Sequence, residues 1–166
     1  MIPLWATNLP WPEIQAAAAT HRVSPLLVAA VVQQESHGEG RAPRYERGFR
    51  WVVKPAEFAR DLGMSVETET ILQMMSWGPM QIMGGTARDR GFKGFIVDLV
   101  QPSVGIHWGT LHLSLLLKQY VDTAKTLAAY NAGSPRLAPE GGGKYENQAY
   151  VDKVMGYLAE LKAGTH

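Results

Sequence analysis

Apolar positions recur at three- and four-residue intervals over most of the chain, the pattern of helices that turn one face to a core. Segments with that pattern run over about 11–20, 24–36, 55–61, 66–75, 84–90, 102–120, 123–131 and 147–162. Pro12, Pro25, Pro55 and Pro102 stand at the head of four of them. A preset φ suits a first helical turn, and the missing N–H costs nothing there. Only Gly48 to Lys54, with Phe49, Trp51, Val52 and Val53, has the composition of a strand, and it is short. The pattern predicts a mainly α protein with a small irregular or β-hairpin insertion and no large sheet. There is no internal repeat.

One predicted helix differs from the rest. Ser24 can cap its first turn, Pro25 takes the first helical position, and Leu26 to Val32 is apolar on every side, as in a central, buried helix. Helical spacing puts Val28, Val31, Val32 and Glu35 on one face, and Gly38 and Gly40 follow as the stop. A carboxylate at the end of such a stripe meets both burial and the negative pole of the helix. Both raise its pKa, which is the condition for a general acid near neutral pH. Taken alone, the same residue also reads as a solvated glutamate at a frayed helix end.

Composition narrows the chemistry. The 166 residues, 46% hydrophobic and 19% charged, fit one domain over 1–166. With no cysteine, thiol nucleophiles, disulfides and Cys-ligated zinc are excluded. Five histidines include no His-Glu-x-x-His, no Gly-x-Ser-x-Gly occurs, and Gly84-Gly85-Thr86 lacks the lysine of a phosphate loop; no metal and no cofactor are expected. A net charge of +1 offers no broad footprint for nucleic acid. Within the balance lies a basic segment, 37–54, with Arg41, Arg44, Arg47 and Arg50 around Tyr45 and Phe49. It reads either as a solvated face or as a loop facing substrate. A second loop, Ser134 to Lys144, is rich in Gly and Pro. The apolar run Leu26 to Val32 is far short of the ~20 residues that span a bilayer, so no membrane insertion is expected. Met1 to Ala19 carries no Lys or Arg and is broken by Pro3, Pro10 and Pro12, so the expectation is synthesis in the cytoplasm without a signal peptide.

After Glu35-Ser36 come Ser76-Trp77-Gly78-Pro79-Met80-Gln81-Ile82, then Ala129-Tyr130-Asn131-Ala132-Gly133, then Glu146 four residues before Tyr150-Val151. In order and type this set resembles the lysozyme-like lytic transglycosylases of the soluble type, over roughly Val23 to Leu158. Their pattern is Glu-Ser, Gly-Leu-Met-Gln, Ala-Tyr-Asn-Ala-Gly and an acidic residue ahead of Tyr-Val. Gly-Pro-Met-Gln departs from it at one packing position. The stretch between Glu35 and Gln81 is longer than usual, and with Arg44-Tyr45-Glu46 and Phe49 it is similar to a phage-lysin branch.

The resemblance implies a lysozyme-like fold and cleavage of peptidoglycan glycan strands between N-acetylmuramic acid and N-acetylglucosamine, with closure of a 1,6-anhydro ring. Glu35 matches the single catalytic acid and base, and Tyr130 the tyrosine that hydrogen-bonds near it. Met80 and Gln81 match residues lining the sugar cleft, and Glu146 its acidic residue. Ser36, Ser76, Asn131 and Tyr150 stand at further motif positions counted with the substrate-binding set, Ser36 and Asn131 as supports. Glu46 is a candidate second cleft carboxylate. Structural readings stand beside these: Met80 and Ile82 as core packing, Asn131 and Gly133 as a helix C-cap. The implied setting is a monomeric phage endolysin, released through a separate pore to act on periplasmic peptidoglycan. The rival readings are a hydrolytic muramidase on the same fold, with Glu46, Asp89 or Asp98 activating water, and a non-catalytic wall-binding or virion module.

Overall fold

A computed structural model describes residues 2–164. Among the described residues there are eight α-helices: α1 (Trp11–His21), α2 (Pro25–Ser36), α3 (Pro55–Leu62), α4 (Val66–Gln73), α5 (Gly84–Asp89), α6 (Pro102–Tyr120), α7 (Thr123–Ala132) and α8 (Gln148–Gly164). Each lies within a few residues of a segment that the apolar spacing predicts. Pro12, Pro25, Pro55 and Pro102 all fall in first turns. Short 3-10 turns at Leu4–Ala6 and Ile96–Val100, which the spacing does not predict, complete the helical set. Ser24 occupies the N-cap of α2, but its hydroxyl makes no capping hydrogen bond.

The strand expected at 48–54 is absent. Its backbone is held by a side chain instead: Val53 N–H donates to Gln73 Oε1 at 2.6 Å, and Gln73 Nε2 donates to Val53 O at 2.9 Å. The sheet is built from β1 (Arg44–Tyr45), β2 (Met75–Trp77) and β3 (Ile82–Met83), antiparallel in that order. Arg44 pairs with Ser76, Tyr45 with Met75, Ser76 with Met83 and Trp77 with Ile82. The helix expected to reach residue 75 therefore ends at Gln73, where Met75 enters the sheet.

Two apolar clusters lie on either side of α6. The larger joins Ile14, Val28, Val31, Leu127, Val151, Val154 and Leu161 from α1, α2, α7 and α8 with Ile106 and Leu113 of α6. The smaller gathers Trp77, Ile82, Ala87, Phe92, Ile96 and Leu99, with Val104 and Trp108 of α6 packed against it. Beside the smaller cluster a polar pair is sealed in. Arg88 reaches both Glu69 oxygens at 2.8 and 3.0 Å, donates to the carbonyls of Phe92 and Gly94, and lies 4.1 Å over the Phe58 ring. Both side chains of the pair are wholly buried, so each ion needs the other and the surrounding hydrogen bonds.

Candidate active site

Glu35 sits in the last turn of α2, whose other residues from Leu27 to Gln33 are buried. Helix α2 packs against α1 and α8, so the carboxylate is presented from a rigid support. Burial pushes Glu35 up to about 7. A hydrogen bond from Tyr150 and the Arg44 charge pull the other way, and the Glu46 charge adds to the rise. The direction is the one that the sequence predicts for a carboxylate ending a core-facing stripe.

Tyr150 of α8 donates its hydroxyl to Glu35 Oε1 at 2.6 Å. Tyr130 of α7 takes a different partner, donating to the backbone carbonyl of Met80 at 2.8 Å. Both hydroxyls are held far above the usual phenol range by burial and by the nearby Glu35 charge, so they act as neutral donors. The tyrosine that touches Glu35 is thus the one at the last motif, counted from sequence among the sugar contacts. Tyr130 fixes the loop opposite. The signal for Tyr150 is the helical spacing that puts Val151, Val154, Leu158 and Leu161 in the core and leaves Tyr150 at the edge of that stripe.

The loop Gly78–Gln81 is clamped from several sides. Ser36 Oγ donates to Pro79 O at 2.8 Å and accepts from Gly38 N–H, tying the end of α2 to the loop. Pro79 and Met80 lie on a groove that Gly105 and Gly109 open along α6. A Cβ at Gly109 would stand 2.6 Å from Met80 Cβ, and one at Gly105 would stand 2.2 Å from Leu99 O. Met80 is fully buried, with Thr110 Oγ1 pointing at its sulfur at 3.5 Å, so its side chain packs in the core and its carbonyl serves the site. Gln81 adopts a left-handed backbone, φ 47°. Its amide is locked by Ser76 Oγ at 2.8 Å and by Gly78 O at 3.0 Å. An unstrained residue would not take that conformation, and its cost, on the order of 1 kcal/mol, is offset by those contacts.

The other predicted positions fall further out. Glu46 lies on the segment after β1, paired with Arg44 at 2.7 Å. These two are the charges that act on Glu35. Asp89 is exposed and paired with Arg90, and Asp98 accepts from Gln101. Glu146 is exposed, 3.3 Å from Arg136, and is not among the charges acting on Glu35. Asn131 is in α7 and accepts from Asn147 Nδ2 at 2.9 Å, while Gly133 supplies the left-handed C-cap with its N–H on Ala129 O. Among the described residues no cluster of three or more His, Asp or Glu is arranged to hold a metal, and no helix is long and apolar enough to cross a membrane.

One partly buried carboxyl poised near neutrality, two neutral tyrosine donors and a fixed loop form a site for acid–base chemistry. The chain matches the family described as the transglycosylase SLT domain over residues 12–152. That span holds Glu35, the Gly78–Gln81 loop, Tyr130 and Tyr150 together, and this protein belongs to that family as a lytic transglycosylase acting on peptidoglycan.

Proposed function

We propose that the protein cleaves the β-1,4 bond between N-acetylmuramic acid and N-acetylglucosamine with formation of a 1,6-anhydromuramic end. The carrying observation is that one carboxyl, Glu35, has both an acidity near neutrality and a partly buried position, while the other carboxylate acting on it, Glu46, is engaged by Arg44. Two-carboxyl glycosidases hold their pair about 5–5.5 Å or about 6.5–9.5 Å apart for the two stereochemical outcomes. Here one group serves twice. Protonated Glu35 gives its proton to the glycosidic oxygen as the C1–O bond breaks, and the N-acetylglucosamine hydroxyl departs. The ionised Glu35 then takes the proton of the muramic 6-hydroxyl as that oxygen bonds to C1. The proton count closes with Glu35 restored and no water consumed.

In this reading Tyr150 orients Glu35, and Tyr130 with Ser36 holds the loop. Gln81, Ser76 and the Met80 backbone shape the cleft floor, with Asn131 and Glu146 at its margin. Residues 1–166 act as a single monomeric catalytic domain. The biological setting is a phage endolysin, made in the host cytoplasm and released to the periplasmic wall. Mass spectrometry of digested peptidoglycan tests the chemistry: fragments lighter by one water are expected, and reducing-end muramic acid as the main product would overturn it in favour of hydrolysis. Glu46 gives that hydrolytic reading its one supporting observation, since it is the candidate water-activating carboxylate whose charge reaches Glu35.

A further inference from the structure

The segment that follows Glu35 has a second character that the acid–base site does not use. It is anchored on one side only. Glu46 N–H bonds to Met74 O, the Phe49 ring lies against Gly85, where a Cβ would come within 2.7 Å of it, and Val53 is fixed by Gln73. Between these anchors Arg47, Arg50 and Trp51 are exposed, Trp51 to 73%. Of the four arginines on the segment Arg44 has a carboxylate, whereas the side chains of Arg41, Arg47 and Arg50 make no hydrogen bond or ion pair with any described residue. The same stretch borders the loop beside the catalytic carboxyl, because Arg44 pairs with Ser76, whose hydroxyl donates to Gln81 Oε1.

We propose that residues 44–51 form a docking surface for a peptidoglycan strand with its stem peptides attached, outside the bond-cleaving site. Trp51, edge-on to Phe49 at 5.9 Å between centroids, offers a flat apolar face to sugar C–H groups, and Arg47 and Arg50 meet stem-peptide carboxylates. Charge complementarity selects this occupant. In the intact strand the lactyl carboxyl of each muramic residue is taken up in the amide to its stem peptide, so the anions offered to unpaired arginines are the carboxylates of that peptide. Because the whole chain carries only +1, an acidic wall is met through this local concentration of charge.

The inference rests on the proposed substrate, and its test is independent of turnover. In the Glu35→Gln protein, affinity is measured for soluble, uncrosslinked glycan strands that keep their stem peptides and for strands stripped of them by an amidase, the lactyl carboxylates so exposed being converted to amides. Tighter binding to the peptide-bearing strands at low salt is expected, with the preference fading as salt rises. Adding Arg47→Ala and Arg50→Ala should weaken binding to the peptide-bearing strands roughly fivefold and erase the preference. The Arg47→Lys and Arg50→Lys pair should keep it, which separates charge from folding. Trp51→Ala should weaken binding to stripped glycan as well. Equal affinity for the peptide-bearing and the stripped, amidated strands, or a preference that survives loss of both arginines, would overturn the proposal. A hydrolytic product from the parent enzyme would instead overturn the anhydro reaction and leave this surface standing.

Discussion

At the scale of single residues, the site trades stability for reactivity at Glu35. Its pKa rises from 4.5 unfolded to about 7 folded, so the folded state binds the extra proton between those values. Stability is therefore fully present below about pH 4.5, falls as pH rises, and is lowered by about 3 kcal/mol once pH exceeds 7. Glu35→Gln keeps the shape and Tyr150 as neighbour but has no charge to bury. Urea unfolding should find that variant more stable than the parent at pH 8 by up to about 3 kcal/mol and equal to it at pH 4. Its turnover should fall roughly 10²-fold or more. Equal stability at both pH values would show that Glu35 carries no buried charge.

Tyr150 acts on the same equilibrium with the opposite sign. Its hydroxyl donates to Oε1 and so favours the ionised carboxylate. Tyr150→Phe removes that donor and raises the Glu35 pKa further. Because the protonated form starts the reaction, the alkaline limb of the kcat/KM profile should move to higher pH while the maximum falls. Tyr130→Phe leaves Glu35 without loss of a direct bond and should lower kcat with little movement of that limb. If the two variants shifted the limb equally, the division of labour between the tyrosines would be wrong.

At the scale of elements, the site depends on how close α6 lets the Gly78–Gln81 loop approach. Gly109→Ala would place a methyl 2.6 Å from Met80 Cβ and 2.7 Å from its sulfur, in a fully buried setting. Overpacking of this kind costs about 1–3 kcal/mol. It should also displace the Met80 carbonyl from Tyr130, so thermal unfolding and kcat should fall together. The buried Arg88–Glu69 pair ties α4 to α5 under the sheet. Arg88→Met should destabilise by about 3–5 kcal/mol, since it leaves a buried charge alone.

The helices were legible from their apolar spacing, reinforced by proline heads at α1, α2, α3 and α6, and Glu35 was legible because it ends the most apolar stretch. The strands were not. They are two or three residues long, too short to show alternation, and the most strand-like stretch, 48–54, lost its ladder to the Gln73 side chain. The Glu69–Gln73–Arg88 network was hidden for another reason. Val66-Glu67-Thr68-Glu69-Thr70 reads as a solvated helix, and only the four-residue step from Glu69 to Gln73 marks a shared face. The roles of Tyr130 and Tyr150 needed coordinates, because both motifs supply a tyrosine to the same neighbourhood and spacing does not say which oxygen each one meets.

At the scale of the whole molecule, rigidity and exposure are divided between parts. Glu35, Tyr130 and Tyr150 stand on α2, α7 and α8, all rooted in the larger apolar cluster, and α6 joins that cluster to the smaller one. Residues 41–51 contain no buried side chain and only a few backbone hydrogen bonds to the rest. Local opening there exposes almost no apolar surface, so it need not involve the cores. Native-state hydrogen exchange should place amides of α2, α6 and α8 at the global unfolding free energy and amides of 41–51 well below it. Sacculus fragments added to the Glu35→Gln protein should raise protection in 44–51 while leaving α6 unchanged, since a surface that orders its partner's carboxylates is itself ordered. Exchange of 41–51 only through global unfolding would mean that this segment is as rigid as the helices, and the division between rigid cores and a separately opening surface would be wrong.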